Sequence, residues 1–282
     1  MRIIRHSKTM HHLVQQTRIK GKTIGFVPTM GFLHDGHRSL FKKSKSENDL
    51  TVLSIFVNPK QFAAHEDFHH YPRDEKKDEL LAKKEKVDII FHPSIEEIYP
   101  EGYSTYVLVE KLDQVLCGKS RPGHFRGVTT VVAKLLNIVS PNILYLGQKD
   151  AQQAIIIRKM VNDLNFPVII KILPTIRERD GLAMSSRNSY LNPSQRQEAM
   201  ILFQVLHSAE EKILSGERNV KRIVGLIRML ITKNTLARID YIECVDADTL
   251  HSLERLSGRV LIALAVWFGN TRLIDNITVR VT

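Results

Sequence analysis

Cysteine is scarce: Cys117 and Cys244 are the only two in 282 residues, far apart, with no CxxC or Cys/His pattern near either. This excludes a disulfide scaffold and a zinc-ribbon site and leaves both thiols a packing role. Long apolar runs are missing too. The longest, Val260 to Phe268, has nine residues, about half of what a bilayer-spanning helix needs, so no membrane segment is expected. The opening stretch MRIIRHSKTMHH is charged throughout and lacks the apolar centre and small-residue cleavage site of a secretory leader, which makes the cytoplasm the expected compartment. Aromatics make up 7% of the chain and do not interleave with its basic residues. The formal net charge of +11 permits an RNA-binding module, but no RNA motif or stacking platform accompanies it. Nucleic acid is therefore not an expected partner, and the positive field suits small anionic substrates.

What is present is an ordinary globular composition, 43% hydrophobic and 25% charged. The segments TIGFVP, TVLSIFV, VDIIF, NILYL and VIIKILP read as buried strands. Between them His37 to Lys45, Asp74 to Lys86, Val128 to Val139 and Asp150 to Leu164 carry apolar residues at helical spacing. Alternation of this kind predicts an α/β, doubly wound, Rossmann-like parallel sheet, whose ligands bind in the loops beyond the carboxyl ends of the strands. From Asn192 the alternation stops. A long helix to Gly216 with Asn192 as cap and Pro193 at its first position, a second helix, and the strands IDYIECVD, RVLIALAVWFG and LIDNITVRV predict a smaller α+β domain. The border falls between Leu173 and Arg187, giving domains 1–176 and 177–282.

Three loops carry chemistry. Pro28-Thr29-Met30-Gly31-Phe32-Leu33-His34-Asp35-Gly36-His37 follows the first strand of this reading and leads into a helix. Its glycines permit close approach of backbone to phosphate, and the helix start offers free N–H groups to an anion. His34 and His37, three apart, face one ligand, and as protonated donors they would neutralise charge growing on phosphate oxygens. Gly147-Gln148-Lys149-Asp150 follows NILYL, with Lys149 as a point charge for phosphate and Asp150 as a helix cap. Met184-Ser185-Ser186-Arg187, after Asp180-Gly181-Leu182, sets small hydroxyls beside a guanidinium, a phosphate clamp.

An HxGH loop near the start of an α/β domain and a serine-rich basic loop at its end resemble the HxGH nucleotidyltransferase superfamily, whose members attack the α-phosphate of ATP. Within it the chain is similar to the pantothenate synthetase (pantoate–β-alanine ligase) family. The stretches that carry the likeness are VPTMGFLHDGH, SIFVNPKQF with EDFHHYPRD, RPGHFRGVTTVVAKLLNIVSPNILYLGQKDAQQ and ILPTIRERDGLAMSSRNSYL. The resemblance implies an AMP-forming ligase that joins pantoate to β-alanine through a pantoyl adenylate. It implies Met30 to His37 as the ATP loop, with His37 catalytic and His34 assisting. It further implies Gly147 to Asp150, Ile176 and Met184 to Arg187 along the nucleotide, with Lys149 and Arg187 among the catalytic residues. Gln61 and Gln153 would grip pantoate, their amides donating to a carboxylate and accepting from a hydroxyl. ATP as substrate, a magnesium ion and a homodimer belong to the same expectation. Asp78 and Asp150 stand as unranked magnesium candidates, and the C-terminal domain is expected to act as a lid that shields the adenylate from water.

Two positions depart from the family pattern: Gln148 stands where glutamate is more usual, and Ala63-Ala64-His65 replaces a Gly-Pro-Asn-like turn. The alternative function is another HxGH nucleotidyltransferase with a different acceptor. A phosphorylated acceptor would call for added arginine or lysine where Gln61 and Gln153 stand.

Overall fold

A computed structural model describes residues 1–64 and 66–282, and of Asn234 the backbone alone. The turn Ala63-Ala64-His65 therefore lies partly outside the described residues, through His65. Six parallel strands form the main sheet: β1 (Arg2–Ile4), β2 (Ile24–Thr29), β3 (Leu50–Ile55), β4 (Ile89–Phe91), β5 (Ile143–Gly147) and β6 (Ile169–Leu173), in the order β1-β4-β3-β2-β5-β6. Sequence reading anticipates five of these. It passes over β1, because three residues are too few to display a period, and over the helix Ser7–Ile19, whose buried face is only Met10 and Val14. The loop assigned to the first strand consequently follows the second.

Side-chain alternation sorts each strand onto two faces. Ile24, Phe26, Val52, Leu144 and Leu146 pack under the helices Ser7–Ile19, His124–Val139 and Ala151–Asp163. Val27, Leu53, Ile90 and Tyr145 face Asp35–Glu47 and Glu75–Lys84. Phe26 and Phe91 are fully buried, each such ring contributing roughly 1.5–3 kcal/mol. Strand order runs outward from β2 through β3 and then resumes at β5 on the other side. The crevice between β2 and β5 is thus the topological switch point, where the loops after these two strands separate and leave room for a ligand.

The C-terminal part builds a second sheet, β7 (Arg238–Asp246), β8 (Gly258–Phe268) and β9 (Thr271–Val281), antiparallel in that order. The helices Ile201–Leu214 and Val220–Asn234 cover it around Leu202, Leu206, Ile227, Ile262 and Leu264. The single helix expected from Asn192 to Gly216 is two: Pro193–Glu198, closed by a reciprocal Asn192–Gln195 capping box, and Ile201–Leu214. A fourth apolar cluster joins the two parts of the chain, Leu116 and, on the helix Ala151–Asp163, Ala151 and Ile155 meeting Val245, Leu261 and Ala263 of the second sheet. Cys117 and Cys244 are buried and free. Among the described residues no helix is long and apolar enough to cross a membrane.

Candidate functional site

The loop after β2 is fixed before any ligand enters. Gly31 and Phe32 both have positive φ, +80° and +50°, and a Cβ on Gly31 would lie 2.9 Å from Asp78 Oδ2. Asp78 is buried, and its carboxylate accepts the backbone N–H of Phe32 at 2.8 Å and of Leu33 at 2.7 Å. Burial outweighs these bonds and raises its pKa. Both oxygens serve the loop, and Asp78 is not among the residues that line the cavity of the site, so it is withdrawn as a magnesium candidate.

The helix Asp35–Glu47 starts on a histidine pair. His34 is its cap: His34 Nδ1 accepts from Gly36 N–H at 3.2 Å, and His37 Nδ1 accepts from His34 N–H at 3.2 Å. Each backbone donor fixes its Nδ1 as unprotonated, so each ring carries its proton on Nε2. The cavity walls enclose both rings. Burial, then the Lys149 charge, lowers the His34 pKa to about 4; burial, then His34 and Lys149, holds His37 well below its ordinary value. The expected protonated donors are therefore neutral Nε2–H donors, because two backbone amides occupy the nitrogens that a second proton would need. The rings stand 4.1 Å apart.

A cavity of about 230 Å³ opens at the switch point and gathers nearly the whole expected set: Met30, His34, Gly36, His37, Gln61, Gly147, Lys149, Asp150, Gln153, Ile176, Met184, Ser185, Ser186 and Arg187. Gly31, Phe32, Leu33, Asp35 and Gln148 lie outside its lining and shape the loops behind it. Residues far apart in the chain meet because the β2, β3 and β5 loops, and the segment after β6, all leave the same sheet edge. Ser186 Oγ reaches Phe32 O at 3.4 Å, and Met184 N–H bonds to Ile176 O at 3.0 Å. Asp150 holds the cap position of Ala151–Asp163 but makes no side-chain cap bond. Its carboxylate is left to the cavity, which corrects the capping role.

Four residues at the site escape sequence reasoning. Asn58, fully buried, donates through Nδ2 to Gln61 Oε1 (3.1 Å) and Gly127 O (3.0 Å), and its Oδ1 accepts from Tyr99 Oη (2.8 Å) and Lys60 N–H (3.2 Å). This turns Gln61 Nε2 toward Met30 Sδ, 2.9 Å away. Asp67 accepts two bonds from Arg187, both 2.9 Å, so the clamp guanidinium rests on a carboxylate. Asn276 of β9 donates to Gln148 O and Lys149 O at 3.1 and 2.8 Å, fastening the second sheet to the phosphate turn. His124 bonds through Nδ1 to Gln61 O at 2.8 Å, and burial followed by the Arg121 charge lowers its pKa to about 3. An Asn-Pro pair directly after a buried strand was the one available signal, for Asn58.

The family model described as pantoate-beta-alanine ligase matches residues 2–278. The chain belongs to that family. Pantothenate synthetase of Moorella thermoacetica is 53% identical over 281 residues, spanning 100% of this chain and 99% of that one. That of Caldicellulosiruptor saccharolyticus is 54% identical over 272 residues, 96% of this chain and 97% of that one. Among solved structures, pantothenate synthetase from Thermus thermophilus superposes with a TM-score of 0.93 at 41% identity, covering 98% and 99% of the two chains. The pantoate-beta-alanine ligase of Francisella tularensis, solved with beta-gamma ATP and beta-alanine, gives 0.82 at 38% identity, covering 98% and 97%. The six-stranded parallel sheet with a three-stranded antiparallel partner is the fold of this ligase family.

Proposed function

We propose that the chain condenses (R)-pantoate with β-alanine to pantothenate, consuming ATP and releasing AMP and pyrophosphate. The observation that carries this reading is one cavity at the switch point holding the histidine pair, Lys149, Arg187 and the two amides Gln61 and Gln153. A carboxylate is a poor acyl donor because its leaving group would be oxide. Its oxygen therefore attacks the α-phosphorus, pyrophosphate leaves, and the β-alanine amine then displaces AMP from the acyl carbon.

In this reading the residues divide by charge. Lys149 and Arg187 supply positive charge to the phosphates, and the neutral Nε2–H groups of His34 and His37 donate hydrogen bonds to oxygens that gain charge in the transition state. The turn Gly147 to Asp150, Ile176 and the segment Met184 to Ser186 hold the nucleotide. Gln61 and Gln153 hold pantoate without adding a charge that would compete with the phosphates. A magnesium ion would neutralise phosphate charge. Among the described residues no group of three acidic, histidine or cysteine ligands exists, and the donors present fit an ion held mainly by its substrate. Asp150 would contribute one oxygen, and nucleotide and water the rest, as suits an ion that keeps several waters.

We further propose that residues 1–176 form the catalytic domain and 177–282 a lid, a division supported by the separate apolar core from Leu182 onward. A cytoplasmic homodimer completes the reading. The test is AMP and pyrophosphate release from ATP with pantoate alone, β-alanine alone and both together. Turnover of AMP that needs both substrates is expected. Release with some other acceptor and none with pantoate would retain the fold and overturn the substrates.

A further inference from the structure

We infer that Asp275 and Asn276, consecutive residues of β9, are positioning residues for ATP: each holds one of the two segments that line the nucleotide, so that a single strand sets the gap between them. The inference rests on the ligase reading above, which puts the nucleotide between the turn Gly147 to Asp150 and the segment Ile176 to Arg187. Both line the cavity at the switch point. The first is built on a three-residue 3-10 turn, Gln148–Asp150, and the second on a short hairpin in which Arg177 pairs with Ala183. Elements this short do not keep a shape unaided. β9 does, because it is paired along its whole length with β8.

Strand geometry lets two neighbours serve opposite sides, since successive side chains point to opposite faces. On β9 the face of Leu273 and Val279 packs into the core under the helices Ile201–Leu214 and Val220–Asn234. Asp275 shares that face and is 2% exposed. A buried carboxylate needs a cation, and Arg177 supplies it with two bonds, Nη1 to Oδ2 at 2.6 Å and Nη2 to Oδ1 at 3.0 Å. The same guanidinium donates to Gly181 O at 3.1 Å and lies over the Phe203 ring, 4.8 Å from its centroid. Arg177 directly follows Ile176, so this ion pair pins the hairpin that presents Ile176 and Met184 to the cavity.

Asn276 works on the other face. Its Nδ2 donates to Gln148 O and Lys149 O, and because backbone carbonyls only accept, these contacts fix which way the amide points. Asn276 Oδ1 then faces Gln148 Nε2, which donates to it at 3.1 Å and reaches Thr278 Oγ1, on the same face of β9, at 3.4 Å. Gln148 stands outside the cavity lining, so its side chain completes the fastening from behind while the turn carries Lys149 forward. The backbone N–H of Asn276 donates to Asp275 Oδ1 at 2.8 Å, which links the two fastenings. Asp275 and Asn276 are nearly the same size but cannot exchange places: one side requires a negative charge, the other an N–H donor.

The test is pantoate-dependent exchange of pyrophosphate into ATP, with KM for ATP and for pantoate measured separately and thermal midpoints recorded alongside. Asp275→Asn and Asn276→Asp are each expected to raise KM for ATP about tenfold and to change KM for pantoate less than about twofold. The exchanged double variant, Asp275→Asn with Asn276→Asp, keeps charge and composition and is expected to bind ATP no better than either single one. Ile262→Val, in the core of the same sheet, is expected to lower the thermal midpoint without raising KM for ATP. If either charge variant does not fold, Gln148→Met, at a half-buried position, keeps the length and removes the donor, and is expected to raise KM for ATP about threefold. An unchanged KM for ATP, a parallel rise in both KM values, recovery in the exchanged variant, or an equal rise in Ile262→Val overturns the assignment. Absence of exchange in the wild type would overturn the ligase reading instead, so the two failures are distinguishable.

Discussion

Asn58→Asp replaces a buried amide by an isosteric carboxylate and isolates a single role, the orientation of Gln61. The acceptor side is retained, since Tyr99 Oη and Lys60 N–H still meet an oxygen. The donor side is lost. Gln61 Oε1 and Gly127 O, at 3.1 and 3.0 Å, would then face an oxygen rather than an N–H. Leaving one buried polar partner unsatisfied costs roughly 1–3 kcal/mol, so two give about 2–6 kcal/mol. Gln61 has one local escape, rotating its amide so that Nε2 meets the new carboxylate, but this withdraws the donor that now points at Met30 Sδ. Two outcomes are therefore coupled: a lower midpoint in urea denaturation and a raised KM for pantoate in pyrophosphate exchange, with KM for ATP little changed. Stability lowered by less than about 1 kcal/mol together with an unaltered pantoate KM would refute the role assigned to Asn58.

Gly127→Ala places a Cβ 2.2 Å from Lys60 O and 2.6 Å from Gln61 N, all backbone that cannot swing aside. A loss of about 1–3 kcal/mol in chemical denaturation and a damaged pantoate site are expected. Asn276→Ala removes two bonds to the Gln148 and Lys149 carbonyls; KM for ATP is expected to rise, with the thermal midpoint lowered by a loss of about 1–2 kcal/mol. The His34 ring, with a folded pKa of about 4 against 6.5, binds fewer protons folded than unfolded between those values, so its contribution to stability falls as pH drops from 6.5 to about 4. His34→Asn keeps a capping side chain but not the titration, and is expected to flatten the decline in thermal midpoint across that window; an identical decline would contradict the burial of the ring.

The sheet and the phosphate loops were legible because their signals are local. Alternating apolar residues mark β2, β3 and β5, and glycine with histidine or lysine directly after a strand marks a site beyond its end. β1 was not, because its three residues are placed by pairing with Ile89 to Phe91 and not by their own pattern. The charge on His34 and His37 was misread, since spacing says which rings meet but not which of their nitrogens the backbone occupies. Asp78 looked like a ligand for the same reason; its partners lie 45 and 46 residues away, on the loop it holds. Asp67 and Asn276 act through contacts between distant segments, which a sequence without its fold cannot reveal.

The central claim is that pantoate is activated at its carboxylate by the α-phosphorus of ATP. It is tested most directly by running the reaction with pantoate whose carboxylate carries heavy oxygen and analysing every phosphate product by mass spectrometry. One labelled oxygen is expected in AMP, carried over when the amine displaces the adenylate, and none in pyrophosphate. Label in inorganic phosphate with ADP as the nucleotide product would mean attack at the γ-phosphorus, and would contradict the roles of the histidine pair, Lys149 and Arg187 in adenylate formation.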